Sequence, residues 1–330
     1  MDPHQRARRF GAAVIACAVL LRLFSSGVPE AVAKWLSQPN IAAFLIYLET
    51  GRNVRFSASS EVFWEFAPES AAPWQLPEEP VIPVFSVEDT PLTELYYACS
   101  LRPDLQELLT APLDWDLTDG RPAVLILHTH TTESYTQLDE DYVETSDYRT
   151  LNENYNMLSI GSRVAEILTD NGISVLHDRS LHDYPSYNGS YTDARKSIQQ
   201  YLVENPTIRL VLDLHRDAAD IAEGQLRTVA SLDGVTCAQL MLVMGTNAAG
   251  QAHDGWQENL SLALKLQAQL ERQAPGITRP TILRAQRFNQ DLSPGALLVE
   301  VGAAGNSHGE ALLAAEQLAY AILALSKGTQ

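Results

Sequence analysis

The sequence predicts an α/β protein, a three-layer domain built on a mostly parallel mixed sheet and preceded by an N-terminal membrane helix. Three observations carry this. Continuous apolar runs of strand length recur at 123–127 (AVLIL), 208–214 (IRLVLDL) and 296–301 (ALLVEV). Segments with helical periodicity separate them, which is the pattern of strands buried on both faces by crossover helices. At 45% apolar residues over 330 positions, the chain is also too rich in hydrophobic side chains to stay disordered.

The elements follow in order. Arg6, Arg8 and Arg9 precede an apolar run at 10–24 that is interrupted by Arg22. As a helix it covers about 22 Å, short of a hydrocarbon core of about 30 Å. Arg22 suits snorkelling to the outer interface, so an uncleaved anchor over residues 1–25 is expected ahead of a cleaved signal peptide ending near Ser25-Ser26-Gly27. The basic flank keeps the amino end in the cytoplasm and sends the rest out. The expectation is a single-pass cell-membrane protein with an extracytoplasmic catalytic domain. A second apolar run at 41–48 is too short to span and reads as a packed helix. Residues 26–115 form a juxtamembrane region whose Pro- and Glu-rich part, 67–91, has the composition of an extended tether. One or two short helices are expected over 93–113.

The catalytic domain is expected over 116–330. After the strand at 123–127, Met157, Ile160, Val164, Ile167 and Leu168 repeat at helical spacing until Asn171-Gly172. A strand at 173–176, a helix at 190–204 and the strand at 208–214 follow. Asp233-Gly234 is the best hairpin signal, between strands at 225–231 and 235–244. A helix at 256–273, the strand at 296–301 and a closing helix at 310–326 complete the pattern.

Composition removes several function classes. With 23 Lys and Arg against 41 Asp and Glu, the formal charge is −18, which repels nucleic acid. Residues 1–24 carry +3, so the remainder carries −21 and the charge divides at the expected membrane. Cys17, Cys99 and Cys237 form no C-x-x-C, which leaves at most a Cys99–Cys237 bridge. No Walker loop or strand-linked G-x-G-x-x-G is present.

Ligands in open α/β sheets gather at the carboxyl ends of strands. The strand at 123–127 runs into His128-Thr129-His130-Thr131-Thr132-Glu133, the strand at 208–214 into His215-Arg216-Asp217, and the last strand carries Glu300. A catalytic zinc takes three such ligands and keeps one position open. His130, Glu133 and His215 are the expected ligands, and Glu300 the base that moves a proton from water to a leaving nitrogen. Of His128 and His130 only one is expected to touch the metal, and His130 has the spacing that suits a loop shared with Glu133. His128 then orients a ligand or holds the loop. Asp213, on the same strand face as His215, is either its partner or an exposed strand carboxylate. Arg216 and Asp217 hold substrate or each other. The loop His182-Asp183-Tyr184-Pro185-Ser186-Tyr187-Asn188-Gly189-Ser190-Tyr191 is a sugar- or peptide-binding surface, with Tyr187 and Asn188 as candidates, or an ordinary turn before a helix. Arg287 is a candidate clamp for a substrate carboxylate. His177, His253 and His308 read as structural or surface residues.

At these residues the chain resembles the stage II sporulation protein P family. The resemblance runs from about Pro122 to the C-terminus through His128-Thr-His-Thr-Thr-Glu-Ser-Tyr135, the loop from His182 to Tyr191, Leu212-Asp-Leu-His-Arg-Asp-Ala218 and Leu298-Val-Glu-Val-Gly302. It implies a zinc-dependent N-acetylmuramoyl-L-alanine amidase with endopeptidase activity, acting on peptidoglycan during forespore engulfment. It also implies a partner, the lytic transglycosylase called stage II sporulation protein D. The strand-His, strand-His and Val-Glu-Val-Gly signatures are similar to the larger zinc amidase family, and the His-x-x-Glu spacing resembles zinc carboxypeptidases. The amidase pattern places the carboxylate ligand before the first long helix, at Glu153, while the carboxypeptidase pattern favours Glu133. A zinc peptidase acting only on stem peptides and a silent wall-binding scaffold are the alternative functions.

Overall fold

Leucine- and valine-rich runs without polar alternation form strands only where both sheet faces are covered, and this sheet is covered on both. The computed structural model describes residues 82–136, 148–218, 220–221 and 224–329, all within the unit Ser70–Gln330. In chain order these form β1 (Leu95–Tyr97), α1 (Leu105–Thr110), β2 (Val124–Leu127), α2 (Met157–Asp170), β3 (Val175–His177), α3 (Ser190–Glu204) and β4 (Leu210–Asp217). The short pair β5 (Asp220–Ile221) and β6 (Gly224–Gln225) follows, then the hairpin β7 (Val229–Leu232) and β8 (Val235–Ala238). The unit closes with β9 (Leu240–Met244), α4 (Trp256–Gln273), β10 (Thr281–Leu283), β11 (Ala296–Ala303) and α5 (His308–Ala324).

The main sheet has seven strands in the order β1-β10-β9-β11-β4-β2-β3, and only the β9–β11 pairing is antiparallel. The three-layer, mostly parallel α/β class is therefore as expected. Strand alternation divides the core. Val124, Ile126, Leu210, Leu212 and Leu214 face the layer that contains α2, α4 and α5, while Leu125, Leu127, Val211 and Ala296 pack on Ala194 and Ile198 of α3. Because β11, β4 and β2 are parallel neighbours, their carboxyl ends share one edge of the sheet.

Local chemistry sets the element ends. Asn156 caps α2 by accepting from the Leu158 N–H, and Ser307 and Glu310 make a reciprocal capping box at the start of α5. The hairpin turns at Asp233 (φ 48°) and Gly234 (φ 86°), as Asp-Gly predicts.

Several expectations are corrected. The region assigned to the juxtamembrane segment contributes to this unit from residue 82 on. β1 is an edge strand paired with β10, and α1, a short helix within the span 93–113 as expected, packs on α4. The end of the expected tether is not extended. It forms a 3-10 helix, Val87–Leu92, and Phe85 is buried beneath the Arg272 guanidinium, which also pairs with Asp89 at 2.6 Å. Proline content misled here, because Pro91 is accommodated inside that helix. The expected second hairpin strand splits at Gln239, and β9 joins the main sheet instead. β10 is absent from the sequence reading because its three residues carry too little pattern. Cys99 and Cys237 are both free thiols, so the bridge left open by the sequence does not form.

No helix among the described residues is long and apolar enough to cross a membrane. The expected anchor at 1–25, the run at 41–48 and residues 67–81 of the tether lie outside the described residues.

Candidate active site

β2 ends at Leu127, and the chain turns through Thr129–Thr132 back toward the sheet edge. His128 and His130 are two residues apart and would share a face if the strand continued; the turn separates them. His128 packs under α2, where its Nδ1 lies 3.0 Å from the Leu214 carbonyl and its Nε2 2.9 Å from His177 Nε2. A carbonyl can only accept, so His128 Nδ1 carries the proton, its Nε2 accepts, and His177 Nε2 donates. Burial lowers both rings, His128 to about 3 and His177 to about 4, so the pair is neutral. These two contacts fix His128 at the start of the loop after β2.

His130 points the other way, into the site. It is buried, its Nδ1 has no hydrogen-bond partner, and its Nε2 lies 3.1 Å from the Tyr187 hydroxyl, whose ring stacks on the imidazole at 4.5 Å. The His215 ring meets His130 edge-on at 5.1 Å. His215 Nδ1 is 3.5 Å from Glu133 Oε2, and its Nε2 is 3.0 Å from Asp213 Oδ1, close but not aligned as a hydrogen bond. Burial would lower His215, but the Asp213 and Glu133 carboxylates outweigh it and hold the imidazole well above its ordinary value, so Nε2 carries a proton toward Asp213. Asp213 is not an exposed strand carboxylate: it is buried and also accepts from the Thr129 N–H and hydroxyl, at 2.8 and 2.6 Å.

Parallel register places Glu300 of β11 directly beside His215 of β4, hence on the same sheet face. Between Glu300 and Ala303 the register shifts, with Gly302 at φ 70°. A Cβ at Gly302 would meet Ala238 Cβ at 2.8 Å, which explains the glycine in the Val-Glu-Val-Gly run. Glu300 Oε2 is buried without a partner. Burial pushes this carboxyl up to about 8, with Glu133 and Asp217 adding to the rise and His215 opposing it. Burial would raise Glu133 as well, but Arg216 and His215 outweigh it and hold Glu133 near 2.

Arg216 is a buried brace of the loop after β2. Its backbone N–H donates to Glu133 Oε2 at 3.3 Å, its Nε to the Ser134 carbonyl and its Nη2 to the Tyr148 carbonyl. Asp217 pairs with Arg279 rather than with Arg216. Glu153 is exposed and bound to Arg179, whereas Glu133 faces His215. Asn188 is exposed in the tyrosine loop, and Arg287 lines a cavity of which Tyr191 is a wall.

Two further residues, Arg149 and Tyr191, shape the site. Arg149 lies over the Tyr187 ring at 4.6 Å, pairs with Asp183 at 2.6 Å and reaches Glu133 at 3.6 Å. It enters through backbone bridging of 149 to 133, a long-range pairing no local pattern signals. Tyr191 stacks near His215 at 6.4 Å and meets His130 edge-on at 5.5 Å. The density of tyrosines in its loop was the available signal. Beside His130 opens a cavity of about 630 Å³ lined by Thr132, Arg149, Leu151, Tyr184, Pro185 and Tyr187 among others.

Among the described residues no three His, Cys, Asp or Glu side chains converge as a metal chelate, since Glu133 is turned into the Arg216 and His215 contacts. The donor chemistry nonetheless suits zinc. Two imidazoles and a carboxylate lie along one sheet edge, with His130 Nδ1 buried and unpartnered.

A family model described as Stage II sporulation protein P (SpoIIP) matches residues 78–323. The curated Stage II sporulation protein P of Bacillus subtilis (strain 168) is 27% identical over 205 residues, 58% of this chain and 47% of that protein. The chain thus spans about half the length of the relative it matches. Among solved structures, the CwlD amidase from Clostridioides difficile in complex with the GerS lipoprotein is 14% identical, with a TM-score of 0.39 over 61% of this chain and 94% of that one. The N-acetylmuramoyl-L-alanine amidase AmiC2 of Nostoc punctiforme is 15% identical, with a TM-score of 0.36 over 61% and 93%.

Proposed function

The chain belongs to the stage II sporulation protein P family, and from that premise we propose that it is a membrane-anchored, zinc-dependent peptidoglycan hydrolase cutting the amide between muramic acid and L-alanine. His130, Glu133 and His215 would hold the zinc, whose chemistry there is to polarise a carbonyl and acidify water. The observation that carries the reading is the register that sets Glu300 beside His215 with an unpartnered, buried oxygen. Glu300 takes a proton at that oxygen and returns it to the departing nitrogen, so no covalent intermediate on the protein is needed. Asp213 holds the His215 tautomer from behind, and Arg216 fixes the loop that carries Glu133. Tyr187 and Tyr191 wall the site and restrict water.

The anchor at 1–25 would place this unit outside the membrane during forespore engulfment, with the lytic transglycosylase stage II sporulation protein D as partner. With the outward part of the chain strongly acidic, tethering and a partner, rather than charge, bring it to an anionic wall. The test is digestion of purified sacculi by the full chain, with products resolved by mass spectrometry. Free stem peptides beginning at L-alanine, lost in Glu300→Gln while bound zinc remains, support the reading. Cuts confined to the stems establish the peptidase alternative, and an undigested sacculus with metal bound establishes the scaffold.

A further inference from the structure

Tyr191 also lines a second cavity, of about 380 Å³, with Thr192, Arg195, Gln251, Arg287 and Phe288 among others. Tyr191 is the wall shared with the site: its ring lies 5.5 Å from His130, 6.4 Å from His215 and 6.0 Å from Phe288. The cavity carries two guanidiniums against one carboxylate. Arg195 grips Asp291 with two hydrogen bonds, at 2.9 and 2.7 Å. Arg287 reaches the same carboxylate only with Nη1, at 3.3 Å, and its Nε and Nη2 make no hydrogen bond among the described residues. Arg287 thus keeps donor nitrogens at a cavity wall in a chain whose formal charge is −18.

The turn that presents Arg287 is unusual in its backbone. Phe288 and Asn289 adopt φ 50° and 58°, a region non-glycine residues rarely occupy and one that recurs at ligand clamps. Asn289 fastens that turn to the site, its Nδ2 donating to the Tyr191 carbonyl at 2.8 Å. By contrast, the cavity beside His130 is neutral at its cation, since Arg149 is already paired with Asp183, and it presents Tyr184, Pro185 and Leu151.

We propose that the Arg287 cavity is a carboxylate subsite for the stem peptide, which directs the saccharide to the Tyr184 side. The proposal rests on the amidase reading and orients its substrate. Peptidoglycan sugars are neutral once the lactyl group is amide-linked, while the stem carries free carboxylates. A charge-assisted, two-pronged contact from Arg287 recognises the stem, and apolar ring faces suit the sugar.

The test uses muropeptides whose stem carboxylates are either free or converted to carboxamides. The wild-type chain is expected to favour the free form in kcat/KM by about tenfold. Arg287→Gln should bring that ratio near unity, and Arg287→Lys should retain part of it. A wild type without preference, or an Arg287→Gln variant that keeps it, overturns the subsite. Calorimetric binding of the free stem tripeptide, as acid and as amide, is read in parallel. Arg287-dependent binding without cleavage sinks the hydrolase reading alone. Binding that does not depend on Arg287 sinks the subsite alone.

Discussion

Asp213→Asn isolates the support behind the expected metal ligand His215. The carboxylate is buried, 3.0 Å from His215 Nε2, and is held in turn by two hydrogen bonds from Thr129. Asparagine keeps the shape and one acceptor oxygen but removes the charge that makes the Nε2–H tautomer the favoured one. Loss of such an outer partner lowers metal affinity about 10- to 100-fold, or about 1.4 to 2.8 kcal/mol. Folding should also suffer, because the partners of a buried charge are left uncompensated, by on the order of 3 kcal/mol. For a unit of this size that lowers Tm by roughly 6 to 12 °C. Zinc affinity is measured by competition with a chromophoric chelator at constant pH, and Tm by calorimetry of the same preparations. If Asp213→Asn binds zinc as tightly as the wild type, His215 does not depend on Asp213 and the assignment of its tautomer fails.

Three further outcomes are expected. Lys265 is buried, with burial pushing its ammonium down to about 8, and it donates to the Leu108 carbonyl and Ser261 hydroxyl at 2.8 Å each. A folded-state value below the unfolded one means its contribution is complete above about pH 10.5 and is lost as pH falls through 8, on the order of 3 kcal/mol by pH 7. Lys265→Met also forfeits two hydrogen bonds of about 1 kcal/mol each, so it should stabilise by about 1 kcal/mol at pH 7 and lose that advantage above pH 10; urea titrations across pH giving parallel curves would contradict this. Gly161→Ala would set a Cβ 2.6 Å from His128 Nε2 and 2.7 Å from His177 Nε2. Overpacking of about 1 to 3 kcal/mol should outweigh the gain in helix propensity of about 1 kcal/mol, and a raised Tm would show that the histidine pair is not pressed against α2. Arg272→Ala removes the guanidinium over Phe85 and the bond to the Val84 carbonyl at 3.1 Å, so residues 82–92 should be cut sooner in limited proteolysis, for a stability loss of about 1 kcal/mol.

The class of the fold and the edge of the sheet that holds the candidate site were legible in the sequence because both rest on local signals. Buried parallel strands read as apolar runs, α2 and α4 repeat every three to four residues, and His130, Glu133, His215 and Glu300 each sit within a few residues of a strand end. What the sequence alone determined is therefore the set of chemically able residues and the strands that carry them. The tertiary structure decided the rest. That His128 turns away toward His177 follows from the turn after β2, and that Asp213 and Glu300 flank His215 follows from strand register. Arg216 serves as a brace because its guanidinium finds carbonyls of a loop some 70 to 80 positions earlier. Arg149 enters only through backbone pairing with Glu133, and β1 only through its parallel pairing with β10. Register, burial and charge pairing are sums over residues distant in the chain, so no window of sequence contains them.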